Sequence, residues 1–152
     1  MEWVTHMPRR WNEIAPLPVR LAFGGGFLLH GYPKVFTHDG YENILYIIQH
    51  VCIPTPSAPL MAYVVAFLEF FGGLALVTGT LVSLFSVLFI IEMIGRLALQ
   101  VICGGPPDPL NPHQALPDVE SALLYLTASI ALLIGGCGGW SVTRMFLPKP
   151  SD

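Results

Sequence analysis

Residues 59–103 are apolar almost throughout, and only Glu69, Glu92 and Arg96 carry charge there. One bilayer crossing takes about 20 residues at ~1.5 Å each, so this run is long enough for two. Gly79-Thr80 supplies a tight turn between them, predicting spans over 59–78 and 81–103. Upstream, an apolar stretch with Gly24-Gly25-Gly26 at its centre predicts a first span over 17–36. Three glycines weaken a helix in water but permit close helix contact in lipid. Arg20 and Lys34 stand near its two ends, both long enough to snorkel toward the headgroups.

Between the first two spans, Ile44, Ile47, Ile48 and Val51 recur at i, i+3, i+4 and i+7. That pattern predicts an amphipathic helix over 41–51, too short to cross. Pro54, Pro56 and Pro59 then break the helix, with Pro59 opening the second span. A Gly/Pro-rich loop over 104–117 leads to a fourth span over 119–134, for which Asp118 is a suitable N-cap. Residues 1–16, with Trp3, Trp11, Arg9 and Arg10, suit a segment at the headgroup level. The predicted fold class is all-α: a transmembrane four-helix bundle with a short interfacial amphipathic helix between spans 1 and 2, forming a single integral membrane domain over 1–152.

Composition strengthens this reading. Only 11% of residues are charged against 53% hydrophobic, where a soluble domain carries roughly 25% charged residues. The mean hydropathy is +0.63. No basic patch or nucleic-acid motif is present, which excludes a nucleic-acid partner and leaves the lipid bilayer as the first one. Arg9, Arg10 and Arg20 ahead of the apolar residues 21–29 resemble a signal peptide, but His30-Gly31-Tyr32-Pro33-Lys34 follows in place of a small-x-small cleavage site. The segment is therefore read as a retained span. With both termini cytoplasmic, that side holds Arg9, Arg10, Arg20, Arg144 and Lys149. The other side holds Lys34 and the acids Asp39, Glu42, Asp108, Asp118 and Glu120, as the positive-inside rule expects.

The charges within the spans raise the question of function. A central charge facing lipid costs roughly 2.5–3.5 kcal/mol, so such groups turn inward or find partners. Counting ~1.5 Å per residue places Glu69 and Glu92 near the midplane, at about 15 Å. The same count puts His30 and Arg96 near about 20 Å, with Lys34 and Glu120 a little further out. Glu92 and Arg96 are also i and i+4 on one helix, acid first. One reading makes this seam internal glue, in which Arg96 neutralises Glu92, Lys34 meets Glu120, and Glu69 hydrogen-bonds while protonated. The other makes it a site for a polar headgroup or a proton relay. On that reading Glu69, Glu92 and His30 move protons, while Lys34, Arg96 and Glu120 bind a quinone-like molecule.

Cys52 and Cys103 both fall on the predicted outer side, where a bacterial periplasm would permit a disulfide, but spacing alone leaves their pairing open. Cys137 lies at the opposite end, flanked by glycines, and reads as packing. His38, His50, Cys52, Cys103 and His113 match no metal-ligand spacing, so no metal is assigned. The glycine runs lack the Lys-Ser/Thr of a phosphate loop.

Four motifs in order resemble the DoxX family. They are Arg20 with His30-Gly31-x-x-Lys34; Glu69-Phe-Phe-Gly72-Gly73-Leu-Ala-Leu-x-x-Gly79; Glu120 followed by Leu123-Leu124; and Gly136-x-Gly138-x-x-Ser141. The similarity runs over about 17–142. It departs at Ser83, where the family often has a base, and at Thr143, where it often has an Asp. The resemblance implies a small four-helix protein of the bacterial cytoplasmic (inner) membrane. Some members serve as the membrane subunit of a thiosulfate:quinone oxidoreductase, and others associate with oxidative-stress enzymes. That setting implies a quinone as cofactor. No motif here holds haem, flavin or an iron–sulfur cluster, so electrons would come from a protein partner subunit or a bound small molecule. The rival expectation is a non-catalytic membrane scaffold or assembly subunit, docking an enzyme or a second copy of itself through 41–51 and the 104–117 loop. A transporter would need an oligomer, and no inverted repeat is visible.

Overall fold

Two prolines open the first helix and one threonine ends it. In the computed structural model, which describes residues 13–52, 57–103 and 116–146 (backbone only for 116–118), α1 spans Pro16–Phe36. Pro16 and Pro18 occupy its first turn, where a missing N–H costs no helical bond. Thr37 follows in an extended conformation, φ −120° and ψ 144°. Its N–H and its hydroxyl both donate to the Pro33 carbonyl, at 2.9 and 2.7 Å. The same hydroxyl oxygen accepts from the Gly40 N–H at 3.1 Å and so caps α2, His38–Gln49. One residue thus stops a helix and starts the next at a new angle.

The third helix, α3, covers Ala58–Thr78, and α4 covers Val82–Cys103. Each is long and apolar enough to cross a bilayer. The turn between them is built on Gly79, whose φ of +76° is the left-handed conformation that glycine adopts without strain. Thr80 N–H reaches the Ala75 carbonyl at 2.9 Å and Gly79 N–H reaches Leu76 at 3.2 Å, the paired bonds of a Schellman stop. Beyond lie α5, Leu116–Gly135, and a short α6, Val142–Phe146. The fold is all-α, with α1 packed along α3, α4 packed along α5, and α2 lying across α1 and α3.

Small residues govern the α1–α3 contact. On α3, Ala58, Ala62, Ala66, Glu69, Gly73 and Leu76 recur every three or four residues on one buried face. Gly24 of α1 meets Gly73 so closely that a Cβ on either would lie 2.8 Å from the other's carbonyl oxygen. The core between the helix pairs holds Phe27, Leu76, Phe89, Met93 and Leu132. Large apolar residues such as Leu60, Ile91, Ile94 and Ile134 point outward. An apolar exterior around a small-residue contact is the arrangement suited to lipid, where close packing holds helices together.

Each end of the molecule is tied across the chain. At one end Arg20, 1% exposed, donates to the carbonyls of Cys137 and, at 2.6 Å, of Trp140. Gly139 N–H donates to the Glu13 carbonyl at 2.7 Å, and the Thr143 hydroxyl to the Gly79 carbonyl at 2.8 Å. Arg20 therefore does not snorkel: the Gly-rich turn after α5 wraps its guanidinium, because the last carbonyls of that turn need donors. At the other end Cys52 and Cys103 form a disulfide with Cα atoms 5.6 Å apart.

The element bounds follow the sequence expectation closely, with three differences. The interfacial helix begins at His38, earlier than 41, because Thr37 caps it, and it ends at Gln49. α5 begins at Leu116, which places Asp118 inside its first turn instead of at the cap. α6 was not foreseen in the basic tail. The expectations for residues 1–12, for Pro54 and Pro56, and for Asp108 and His113 in the long loop lie outside the described residues.

Candidate functional site: a charged cluster between three helices

Glu69 sits in the buried small-residue face of α3, one helical turn from Gly73 and 1% exposed. Opposite it, Gly31 of α1 brings the two backbones together: a Cβ there would lie 2.9 Å from the Glu69 carbonyl carbon. Lys34 follows Gly31 by three residues, on the same side of α1, and its Nζ donates to Glu69 Oε2 at 2.5 Å. From α4, Arg96 Nη2 donates to Glu69 Oε1 and also, at 2.6 Å, to Glu92 Oε1. Both oxygens of Glu69 are thus held, each by a cation from a different helix.

The set contains two cations and two carboxylates, so the buried charge sums to zero. That neutrality is what makes the cluster tolerable in an apolar surround, because an uncompensated buried charge is strongly destabilising. The cluster is unevenly covered. The Glu69 and Glu92 side chains are 1% and 8% exposed, whereas Lys34 is 20% and Arg96 is 45% exposed. Glu92 Oε2 is buried and has no hydrogen-bond partner among the described residues. One residue before Arg96, a Cβ on Gly95 would meet nothing within 4 Å, so the α4 surface is open at that position.

Aromatic rings bound the cluster. Toward the Gly79 end, Phe27 of α1 and Phe89 of α4 stack with ring centres 3.7 Å apart. Phe89 is fully buried and lies one turn before Glu92, so it seals that side. On the Lys34 side a cavity of about 270 Å³ is lined by Lys34, Thr37, His38, Tyr41, Tyr63 and Phe67. Tyr41 and Tyr63 form one wall of it, their ring centres 4.6 Å apart.

Four of the six residues singled out from sequence are brought together: Lys34, Glu69, Glu92 and Arg96. His30 and Glu120 are not. Both are exposed, and neither makes a hydrogen bond or ion pair among the described residues. Of the pairings that the internal-glue reading expects, Arg96–Glu92 is present, Lys34–Glu120 is replaced by Lys34–Glu69, and Glu69 bonds to two cations where a protonated, hydrogen-bonded carboxyl was expected. The physical reason lies in the 100° step of a helix. Gly31 and Lys34 face α3, and that turns His30 outward. The sequence held one clue to the true partner, a glycine three residues before Lys34, which marks the face of closest approach. The Tyr41–Tyr63 wall joins two elements far apart in sequence and had no local signal. No group of three or more His, Cys, Asp or Glu residues is placed to hold a metal among the described residues.

No curated protein and no solved structure matches this chain. The family model for DoxX matches residues 15–100. The matched part carries Arg20, His30-Gly31-x-x-Lys34, the Glu69 motif, Glu92 and Arg96, while Glu120 and the turn after α5 lie beyond it. Since it covers more than half of the chain and all four members of the charged cluster, this integral membrane protein belongs to the DoxX family.

Proposed function

We propose that α1, α3, α4 and α5 cross a bacterial cytoplasmic membrane as a four-helix bundle with α2 at the outer surface. We further propose that the charged cluster binds the head of a quinone-like lipid for a membrane oxidoreductase. The observation that carries this reading is Glu92 Oε2, buried and without a hydrogen-bond partner among the described residues, beside a half-exposed Arg96. A buried acceptor without a donor costs about 1–3 kcal/mol, and more when charged. A ligand that accepts from Arg96 while offering a hydrogen to Glu92 would satisfy both groups. Quinone and quinol heads carry that acceptor and donor character, and the open surface at Gly95 gives a flat ring room to lie on α4.

When bound, a quinone supplies a couple of two electrons and two protons. Arg96 would hold a ring oxygen, and Glu92 would take or release a proton at Oε2. Glu69 and Lys34 would keep the guanidinium in place. Phe27 and Phe89 exclude water from the cytoplasmic half. His30, exposed one turn before Lys34, is suited to pass protons toward the outer surface. We assign Glu120 no part. Electrons would arrive from a partner subunit or a bound small molecule. The disulfide supports placing the Cys52 end outside, since disulfides persist in oxidising compartments. Arg20 and Arg144 at the opposite end support cytoplasmic termini.

Native mass spectrometry of the protein, extracted gently from its own membranes, tests the reading. A quinone-mass adduct on the wild type, absent from Glu92→Gln and retained by Ile91→Val, is expected. A bare chain mass would end the quinone proposal. The internal charge balance of the cluster favours one second reading, a scaffold subunit whose seam serves folding alone. A stoichiometric protein partner without quinone would favour that one.

A further inference from the structure

The cavity of about 270 Å³ between the end of α1, the start of α2 and the middle of α3 meets the charged cluster only at Lys34. Lys34 and His38 line it, and no carboxylate does. Glu69 is bonded to Lys34 but lies outside the lining, as do Asp39 and Glu42 of α2. Of the three N–H bonds of the Lys34 ammonium, Glu69 takes one. The single negative charge of Glu69 is also divided between Lys34 and Arg96, so Lys34 keeps an attraction for a second anion. Tyr41 and Tyr63 add two neutral hydroxyl donors. An ammonium group would meet Lys34 with no acid beside it. The lining selects an anion.

We infer that this cavity holds the phosphate-bearing head group of an anionic glycerophospholipid, with an acyl chain laid along α3. A site for a whole small-molecule ligand takes about 300–1,000 Å³, so this smaller space suits a compact head whose remainder lies outside. The path for that remainder is present. Tyr63, Phe67 and Phe71 recur every four residues on one half-exposed face of α3. The Phe67 and Phe71 rings lie parallel with centres 5.5 Å apart. Eight residues of helix carry this aromatic track ~12 Å from the cavity toward the Gly79 end. With α2 at the membrane surface, as proposed above, Lys34 and His38 stand at headgroup level and the track descends into the acyl region. A basic recess between helices at that level is the arrangement that takes anionic lipid heads, and tyrosines are at home there. The aromatic track is what favours a lipid over a free phosphate. The inference does not depend on the quinone reading.

The full chain in detergent micelles provides the test. Phosphatidylglycerol, phosphatidylcholine and diacylglycerol with the same acyl chains are titrated in turn, and bound lipid is read by native mass spectrometry. The expected result is one phosphatidylglycerol per chain, held at least tenfold more tightly than either of the others. The double variant Tyr41→Phe with Tyr63→Phe keeps both rings and loses both hydroxyls, and it should bind phosphatidylglycerol at least fivefold more weakly. Tyr46→Phe, on α2 but outside the cavity lining, should bind as the wild type does. Equal binding of diacylglycerol or of phosphatidylcholine would overturn the anionic-head assignment. Displacement of phosphatidylglycerol by millimolar inorganic phosphate would assign the cavity to a free anion and overturn the lipid. Unchanged affinity in the double variant would place the bound lipid elsewhere. The comparison of lipids on the wild type decides the matter even where the double variant fails to fold. A chain that binds phosphatidylglycerol but no quinone would end the quinone reading and leave this one standing.

Discussion

Gly31 lies against the backbone of Phe70, so close that a Cβ on it would stand 2.5 Å from the Phe70 nitrogen and 2.8 Å from its Cα. That contact sets the spacing of α1 and α3, and Lys34 reaches Glu69 because of it. Gly31→Ala must push the two backbones apart, since Phe70 main-chain atoms cannot rotate away. A loss of about 1–3 kcal/mol is expected for overpacking of this kind. Thermal unfolding in detergent should show the loss, with a Lys34→Met change costing less in the Gly31→Ala background than in the wild type. Equal costs would mean that the ion pair survives without the close approach.

Glu69→Gln leaves Lys34 and Arg96 around a neutral amide, and the cluster changes from zero charge to one net positive. Breaking one side of a buried ion pair costs about 3–5 kcal/mol. Replacing Lys34 by Met in the same chain restores neutrality. The double variant is therefore expected to unfold above Glu69→Gln alone. Additive losses in a double-mutant cycle would show that Lys34 and Glu69 do not interact.

Arg20 holds two carbonyls of the turn after α5, at Cys137 and Trp140. Arg20→Ala removes both charge-assisted bonds, each worth about 1.5–3 kcal/mol. It should free the turn. Cys137 is the unpaired cysteine, so maleimide labelling without reductant reports on that turn directly. Labelling several-fold faster in Arg20→Ala than in the wild type is expected. An unchanged rate would place the anchoring of the turn elsewhere.

The disulfide closes a loop of 51 residues. A constraint of that length on the unfolded chain is worth about 4 kcal/mol in the chain-entropy view. Reduction should therefore lower the melting temperature without altering helix content at room temperature. In spheroplasts, a membrane-impermeant alkylating reagent should reach Cys52 after reduction, and reach Cys137 only after the membrane is opened. The reverse order would invert the proposed orientation.

Much of this molecule was legible in the linear chain. An apolar run of given length makes a helix of given length wherever it folds, so α1, α3, α4 and α5 fall within three residues of their predicted ends. Gly79 had to be a turn, because few other residues sit at φ +76° without strain. The presence of buried charge was equally plain, since a span carrying Glu69, or Glu92 with Arg96, cannot show them to lipid cheaply.

Which charge meets which was decided only by tertiary structure. A helix fixes the angles between its own side chains, yet says nothing about its rotation against a neighbour. Here Gly24, Gly31 and Gly73 set that rotation through backbone contact. It turned Lys34 to Glu69 and His30 away, while Glu120, on α5, stands outside the cluster. Tertiary packing also brought Cys52, beyond α2, and Cys103, at the end of α4, within bridging distance, a matter of Cα separation that sequence spacing does not contain.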